Sequence, residues 1–320
     1  MFVFLIVTTM LAIRQAEWDG DMEPARVDRP EPVFGEVLVR VAAAGVNPVD
    51  VYTRRGLAYN RVLELPFVNG WDVAGVVEEA GYGATRFEVG DRVFGMPWFP
   101  RAAGAYAEYV TAPARHFARM PDEIGFAEAA ALPLAGLTAW QMLTEVADVA
   151  AGQRVVVVGA AGGVGHLAVQ IAKARGAHVI GSASEEKRAF VRGLGADEIV
   201  GHDEVPGIDG ADVVIQMFGG EAGLTALECL RPGGILVSGQ AAWTPGLYER
   251  AAELGVRARG YLVDPDGAGL EALAGLVRAG SLKVHVDRTF PLEDAAEAHR
   301  LVARGRTTGK VVLMVEEELR

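Results

Sequence analysis

The sequence predicts an α/β protein: a doubly wound parallel sheet preceded by a compact β-barrel-type unit. Three observations carry this. Arg154–Gly159 (RVVVVG) is a continuous apolar run, as a strand buried on both faces requires, and it ends on a glycine-rich turn that opens a helical pattern. Strand-like and helix-like stretches then alternate to about residue 263. Before them, residues 33–115 hold short β-type runs cut by Gly and Pro at close intervals.

The chain of 320 residues is long enough for two domains. Its formal charge of −12 repels phosphate backbones, which argues against nucleic-acid binding. The apolar start, Met1–Ile13, is too short to span a bilayer and lacks a basic region before it, so neither a membrane span nor a signal peptide is expected. Met10–Gln15 reads as the first strand, and Met1–Thr9 as an extension or as residues from an upstream start codon. A single thiol, Cys229, cannot form an internal disulfide; a reducing, cytoplasmic setting is the simplest expectation. Cys229 reads as a buried, inert thiol in a helix.

The β unit is expected from Glu36–Val41, Val73–Glu78, Asp91–Phe94 and Tyr106–Thr111. Two helical stretches within Phe126–Val149 break around Pro133 and Gly136. The parallel sheet then reads as strand Arg154–Gly159, helix Gly163–Arg175, strand His178–Gly181, helix Glu185–Leu194, and strands Val213–Gln216, Ile235–Ser238 and Ala258–Val263. A helix (Leu270–Ala279), a strand (Val284–Phe290), a helix (Leu292–Arg304) and a strand (Lys310–Val315) follow, and this tail need not belong to the sheet domain. The expected boundaries are 1–130 and 268–320 for the β-type domain, and 131–267 for the parallel-sheet domain.

Between the first strand and helix of that sheet lies Gly159-Ala160-Ala161-Gly162-Gly163-Val164-Gly165. Small residues there let the backbone approach a diphosphate, and the helix start supplies free N–H groups and partial positive charge. A glycine cluster alone is weak evidence; its position after a buried strand and before a helix is what makes a dinucleotide site the better reading than an empty turn. An NAD site places an acid about 20 residues on, at the end of strand two. This chain has Gly181-Ser182-Ala183-Ser184 there. Nothing repels a 2′-phosphate, and Ser182, Ser184, Lys187 and Arg188 are placed to receive one, so NADPH is the expected cofactor. The alternative for Lys187 and Arg188 is a solvated helix face balanced by Glu185 and Glu186.

The order of domains, with Gly45-Val46-Asn47-Pro48-Val49-Asp50, Gly70-Trp71-Asp72-Val73-Ala74-Gly75-Val76-Val77, Gly90-Asp91-Arg92-Val93, Gly136-Leu137-Thr138-Ala139, the glycine loop and Gly309-Lys310-Val311-Val312, resembles the medium-chain dehydrogenase/reductase superfamily. Within it the chain is similar to the zinc-free quinone oxidoreductase (zeta-crystallin-like) group, from Met10 onward. The resemblance implies a Rossmann sheet plus a GroES-like catalytic domain. Zinc alcohol dehydrogenases of the superfamily have Cys where this chain has Asn47 and His where it has Trp71. With one cysteine and scattered histidines, no zinc site is expected. His166, at the start of the loop helix, is expected beside the cofactor or at the surface.

The resemblance also implies site residues. Asn47, Asp50 and Tyr52 would line the cleft near the nicotinamide, with Tyr52 the first candidate proton donor and Tyr59 the second. The alternatives are wall tyrosines with solvated hydroxyls, and an Asp50 that caps a helix starting near Val51. Thr138 would lie at the amide end of the cofactor. Met217, Phe218 and Gly219, Ser238, Gly239 and Gln240, Tyr261 and Val263, and Gly309 and Lys310 would approach it from strand ends and the returning tail. Without zinc to polarise a simple ketone, the substrate should be an already electrophilic small molecule, a quinone or other α,β-unsaturated carbonyl compound. The competing readings are an enoyl-thioester or enone reductase, and a dinucleotide-binding protein with little catalytic role. Arg257–Val263 reads as an edge strand through which a homodimer would pair.

Overall fold

The computed structural model describes residues 8–316, so Met1–Val7 of the proposed extension lie outside the described residues. The chain forms two compact units. One comprises the described residues up to Leu134 together with Pro265–Gly275 and Val286 onward; the other is Ala135–Asp264 with Leu276–His285.

The first unit opens on an antiparallel hairpin of β1 (Thr9–Gln15) and β2 (Met22–Asp28). Next come β3 (Glu36–Val46), α1 (Pro48–Arg54), the short β4 (Phe67–Val68), β5 (Asp72–Ala80), β6 (Arg92–Gly95), β7 (Tyr109–Pro113), β8 (Phe117–Arg119) and α2 (Phe126–Ala131). β3 is the hub. Its run VLVRVAAAGV is buried on both faces apart from Arg40. It pairs with β5 along one edge, and its other edge is shared by β7 over residues 36–40 and by the returning C-terminal strand over residues 43–46. Val39, Val41, Val73, Val93 and Phe117 form the centre of the core.

Helix α3 (Pro133–Gln141) leads into the second unit. The break between helices falls once, at Leu132, with Gly136 inside α3. Pro133 sits where a helix begins and its missing N–H has no partner to lose, so it starts a helix here. The second unit follows as β9 (Arg154–Val157), α4 (Gly165–Ala174), β10 (His178–Ser182), α5 (Arg188–Gly193), β11 (Glu198–Val200), β12 (Ala211–Gln216), α6 (Gly220–Thr225), β13 (Leu230–Ser238), α7 (Leu247–Glu253) and β14 (Arg257–Gly260). The six strands run parallel in the order β11-β10-β9-β12-β13-β14. Val155 pairs with Val179 on one side and Val213 on the other, so connections diverge from β9, the switch point at which such sheets bind ligands.

β14 ends at Gly260, short of the expected Val263. The Tyr261 N–H still donates to the Ser238 carbonyl of β13 at 2.9 Å, and from there Gln141 takes over: its Oε1 accepts from the Tyr261 hydroxyl at 2.6 Å and the Asp264 N–H at 3.2 Å, and its Nε2 donates to the Asp264 carbonyl at 3.1 Å.

The tail returns through α8 (Gly267–Arg278), β15 (Val286–Pro291), α9 (Ala295–Ala303) and β16 (Lys310–Met314). β16 pairs antiparallel with β3, placing the last strands in the first unit's sheet. Leu276–His285, read from sequence as part of the β-type domain, groups with the second unit instead. Its anchors are the Gln170 amide, bonded to both the N–H and the C=O of Lys283, and His166 Nε2, which accepts from the His285 N–H.

Candidate active site

The glycine loop joins β9 to α4 at the switch point. Gly159 has φ +72°, a left-handed conformation that glycine adopts without strain, and its N–H donates to Ser182 Oγ at 2.9 Å. The Gly162 N–H donates to the Gly159 carbonyl at 2.9 Å, closing a tight turn. A Cβ on Gly165 would fall 2.2 Å from the Gly159 carbonyl oxygen and 2.8 Å from Ala160 Cα, so this glycine permits helix and loop to touch. A Cβ on Gly162 would meet only the Gly159 oxygen, at 3.3 Å, and otherwise enter open space. That open side lies beside the start of a ten-residue helix, where free N–H groups and the helix dipole favour an anion. Gly162 has no left-handed φ, so its requirement is one of space alone.

The remaining second-unit candidates divide by what they touch. Ser182 is fully buried, supports the loop through Gly159, and lies 3.0 Å from His202 Nδ1. Ser238 Oγ accepts from Gln216 Nε2 and from the Gln240 N–H, both at 3.0 Å, tying together the ends of β12 and β13. Phe218 is 45% exposed and its ring covers Gly159, so the loop's first residue has an apolar neighbour. A Cβ on Gly239 would strike the Met217 thioether. Ala161, Thr138 and Val263 are buried; Gly163, Val164, Met217, Gly219 and Tyr261 are half-buried. His166 is neither at the surface nor open to a ligand. It is fully buried, its Nδ1 is 2.9 Å from the Gly162 carbonyl, and its Nε2 accepts from His285, which fixes the proton on Nδ1.

Where an NAD site would carry an acid, β10 ends on Ser182-Ala183-Ser184. Ser184 and Lys187 are half-buried just beyond. Arg188 is paired with Glu185 at 3.0 Å and Glu204 at 3.7 Å.

In the first unit, Asn47 is 2% exposed and is the N-cap residue of α1, which starts at Pro48 rather than Val51. Its N–H donates to Asp50 Oδ2 at 2.7 Å, so Asp50 caps the helix from its third position. Tyr106 donates its hydroxyl to the same Asp50 oxygen at 3.0 Å and lies 3.1 Å from His299 Nε2. Burial pushes the Asp50 carboxyl up to about 7, against the opposing bond from the Asn47 N–H. Burial also lowers His299 to about 3, so the imidazole is neutral.

The Asn47 side chain faces a second cluster. Its Nδ2 donates to Asp72 Oδ2 at 2.9 Å, and its Oδ1 accepts from Lys310 Nζ. Lys310, on the strand returning after Gly309 (φ +69°), is 3% exposed; its ammonium also reaches the Val46 carbonyl at 3.3 Å and Asp72 at 3.5 Å. The other Asp72 oxygen accepts from the Leu134 N–H at 2.7 Å. The amide of Asn47 is thereby held in one orientation. Asp72, Tyr106, His299, Gln141 and Gln216 are not among the site residues that the sequence points to. The available signal was a polar residue ending an apolar run, as in Gly-Trp-Asp-Val and Val-Ile-Gln-Met.

Tyr52 is 40% exposed. Tyr59 is half-buried, with its ring edge-on to Trp71 (6.0 Å) and Phe99 (5.4 Å), and burial raises its hydroxyl above the usual value. Trp71 itself is buried, with its indole N–H donating to the Arg101 carbonyl at 2.7 Å. The indole of Trp71 offers a donor only, and the Asn47 carboxamide is already bonded to Asp72 and Lys310, a poor set for zinc, which favours Cys, His and carboxylate ligands; among the described residues no group of three His, Cys, Asp or Glu could hold a metal ion. Cys229 is buried, its thiol pushed up to about 12 by burial.

Two family models match. One is described as an alcohol dehydrogenase GroES-like domain, over residues 34–122, and the other as a zinc-binding dehydrogenase, over residues 194–313. The chain is 35% identical to human quinone oxidoreductase over 326 residues, covering 96% of this chain and 98% of the relative. It is 34% identical to a 2-haloacrylate reductase of Burkholderia sp over 317 residues, covering 91% and 94%. A mycobacterial protein solved in complex with NADPH superimposes with a TM-score of 0.84 at 31% identity, covering 96% of this chain and 100% of the other. Similar to these relatives over nearly the whole length of both chains, the protein belongs to the medium-chain dehydrogenase/reductase superfamily, in its quinone oxidoreductase group.

Proposed function

We propose that the chain is a zinc-independent, NADPH-dependent reductase of quinones or other α,β-unsaturated carbonyl compounds. The observation that carries the reading is a dinucleotide cradle on a chain whose would-be metal positions are Asn47 and Trp71. A reduced nicotinamide, when bound, supplies a hydride to an acceptor electrophilic enough to need no Lewis acid. Gly159, Ala161, Gly162, Gly163, Val164 and Gly165 would hold its diphosphate. Ser184 and Lys187 would receive the 2′-phosphate. Thr138, Met217, Phe218, Gly219, Ser238, Gly239, Gln240, Tyr261, Val263, Gly309 and Lys310 would complete the site, several by holding the backbone in place.

The chain's own chemistry is hydrogen bonding. Asn47 is fixed by Asp72 and Lys310, so its amide meets a ligand without first reorienting. Tyr52 is partly exposed and its hydroxyl would donate to a developing oxyanion, and Tyr59, whose proton is held by burial, is a second donor. Asp50 positions the start of α1. The names of the relatives support both quinones and activated alkenes as acceptors, and a cytoplasmic homodimer is part of the reading. NADPH oxidation against a panel of quinones, enones and enoyl thioesters, run with a metal chelator, tests it. We expect turnover of quinones or enones that persists in chelator. Activity that disappears with removal of a stoichiometric zinc would overturn the reading.

A further inference from the structure

β10 and β11 end side by side. Ser182 pairs with Val200 in the parallel register, and the Ala183 N–H donates to the Val200 carbonyl at 3.0 Å. Ser184 and His202 each lie two positions past that pair, at the carboxyl ends of the strands, where such sheets bind ligands. The turn after β10 carries Lys187, whose N–H donates to the Ser184 carbonyl at 3.0 Å. The turn after β11 is a short helix, His202–Gly207. Arg188 ties the two turns together, pairing with Glu204 at 3.7 Å and with Glu185 at 3.0 Å. Two carboxylates already hold this guanidinium, which makes it a poor receptor for a phosphate.

His202 is placed differently. A directed chain of hydrogen bonds joins it to the glycine loop. The Gly159 N–H donates to Ser182 Oγ at 2.9 Å, and that oxygen lies 3.0 Å from His202 Nδ1. Ser182 is fully buried, and among the described residues its hydroxyl proton has no acceptor other than Nδ1. A neutral imidazole that accepts at Nδ1 carries its own proton on Nε2. His202 is exposed, and its Nε2 has no partner among the described residues. The ring is thereby held at the strand ends with a donor on the side away from Ser182, one side chain removed from the loop that would hold the diphosphate.

We infer that His202 is a further specificity-determining residue of the dinucleotide site, its Nε2–H donating to an oxygen of the cofactor's 2′-phosphate beside Ser184 and Lys187. The inference rests on the proposed NADPH dependence and adds to it a contact from the far side of the strand ends, oriented by Ser182.

The test is calorimetric titration with adenosine 2′,5′-bisphosphate and with 5′-AMP, which differ in the 2′-phosphate and lack the nicotinamide, so no turnover is needed. In His202→Asn the side-chain oxygen replaces Nδ1, which keeps the Ser182 bond and removes the outer donor. His202→Gln restores a donor at the outer position. His202 is exposed, so both variants leave the core of the sheet untouched. We expect the Asn variant to bind the bisphosphate about tenfold or more weakly, as loss of a hydrogen bond to a charged group implies, with 5′-AMP binding unchanged and the Gln variant recovering most of the loss. Undiminished bisphosphate binding in the Asn variant, an equal loss for 5′-AMP, or no recovery in the Gln variant would overturn the role of His202 and leave the NADPH reading standing. An unmutated protein that binds the bisphosphate no better than 5′-AMP would overturn the NADPH reading itself, and His202 with it.

Discussion

The ammonium of Lys310 lies 3.5 Å from Asp72 Oδ2 in a site where neither side chain is more than 3% exposed. One residue stands on the last strand and the other begins β5, 238 positions earlier. Removing one partner of such a pair leaves the other charge buried, which costs about 3–5 kcal/mol. Lys310→Met should therefore be strongly destabilised in urea unfolding, and Asp72→Asn with Lys310→Met should recover most of the loss. A single variant as stable as the unmutated protein would show that the pair contributes nothing.

Gly162 and Gly165 should fail differently. Gly162→Val keeps the fold and loses NADPH, because its side chain enters the space expected for phosphate. Gly165→Val loses the fold, because its side chain meets the Gly159 carbonyl. Thermal melts with and without NADPH separate these. Cofactor-induced stabilisation in a folded Gly162→Val protein would mean that the diphosphate lies elsewhere.

NADPH should bind better than NADH, since β10 ends on Ser182, followed by Ala183 and Ser184, where an NAD site carries an acid. Lys187→Ala should narrow the preference by a factor of ten or more, as expected of a charge-assisted bond of about 1.5–3 kcal/mol. Titration of both cofactors checks this, and equal affinity in the unmutated protein would contradict it.

Asp50 and His299 make opposite pH contributions. The Asp50 carboxyl, raised from 3.8 to about 7, holds its proton in the folded state where the unfolded chain has released it, so stability falls as pH rises from about 4 to about 7. His299, lowered from 6.5 to about 3, contributes stability above pH 6.5 that is lost as pH falls toward 3. Asp50→Asn removes the first effect and keeps an acceptor for the Asn47 N–H. Its stability relative to the unmutated protein should rise by about 1 kcal/mol per pH unit from pH 4 to 7 and then level off. Parallel urea curves at pH 5, 6, 7 and 8 measure this; a difference independent of pH would place the Asp50 carboxyl in the ordinary range.

β14 is the edge of the parallel sheet, with Leu262, Trp243 and Tyr248 each more than half exposed near it in sequence or along the preceding segment. An unpaired edge invites pairing, and a second copy across a two-fold axis satisfies it. Sedimentation at micromolar concentration should give a dimer, and Ala258→Pro should shift it toward monomer. A monomeric unmutated protein would dispose of the idea.

The sequence by itself determined the sheet and its loop. Local pattern suffices there, because an apolar run buried on both faces, a run of small residues and a helical repeat are contiguous in Arg154–Arg175. The same locality made the missing acid after β10 readable. Only the tertiary structure decided which polar residues act together. Lys310 reads in sequence as one of several residues approaching a cofactor, yet the pairing of β16 with β3 brings its ammonium to Asn47 and Asp72, leaving it no solvent. His166, read as cofactor-adjacent or surface, lies buried between the Gly162 carbonyl and the His285 N–H, and Gln141 binds Tyr261 and Asp264 beyond β14 from more than 100 positions away. Such contacts depend on what the fold sets opposite each side chain. Burial then determines their energy, since a polar group removed from water must take whichever partner lies within reach.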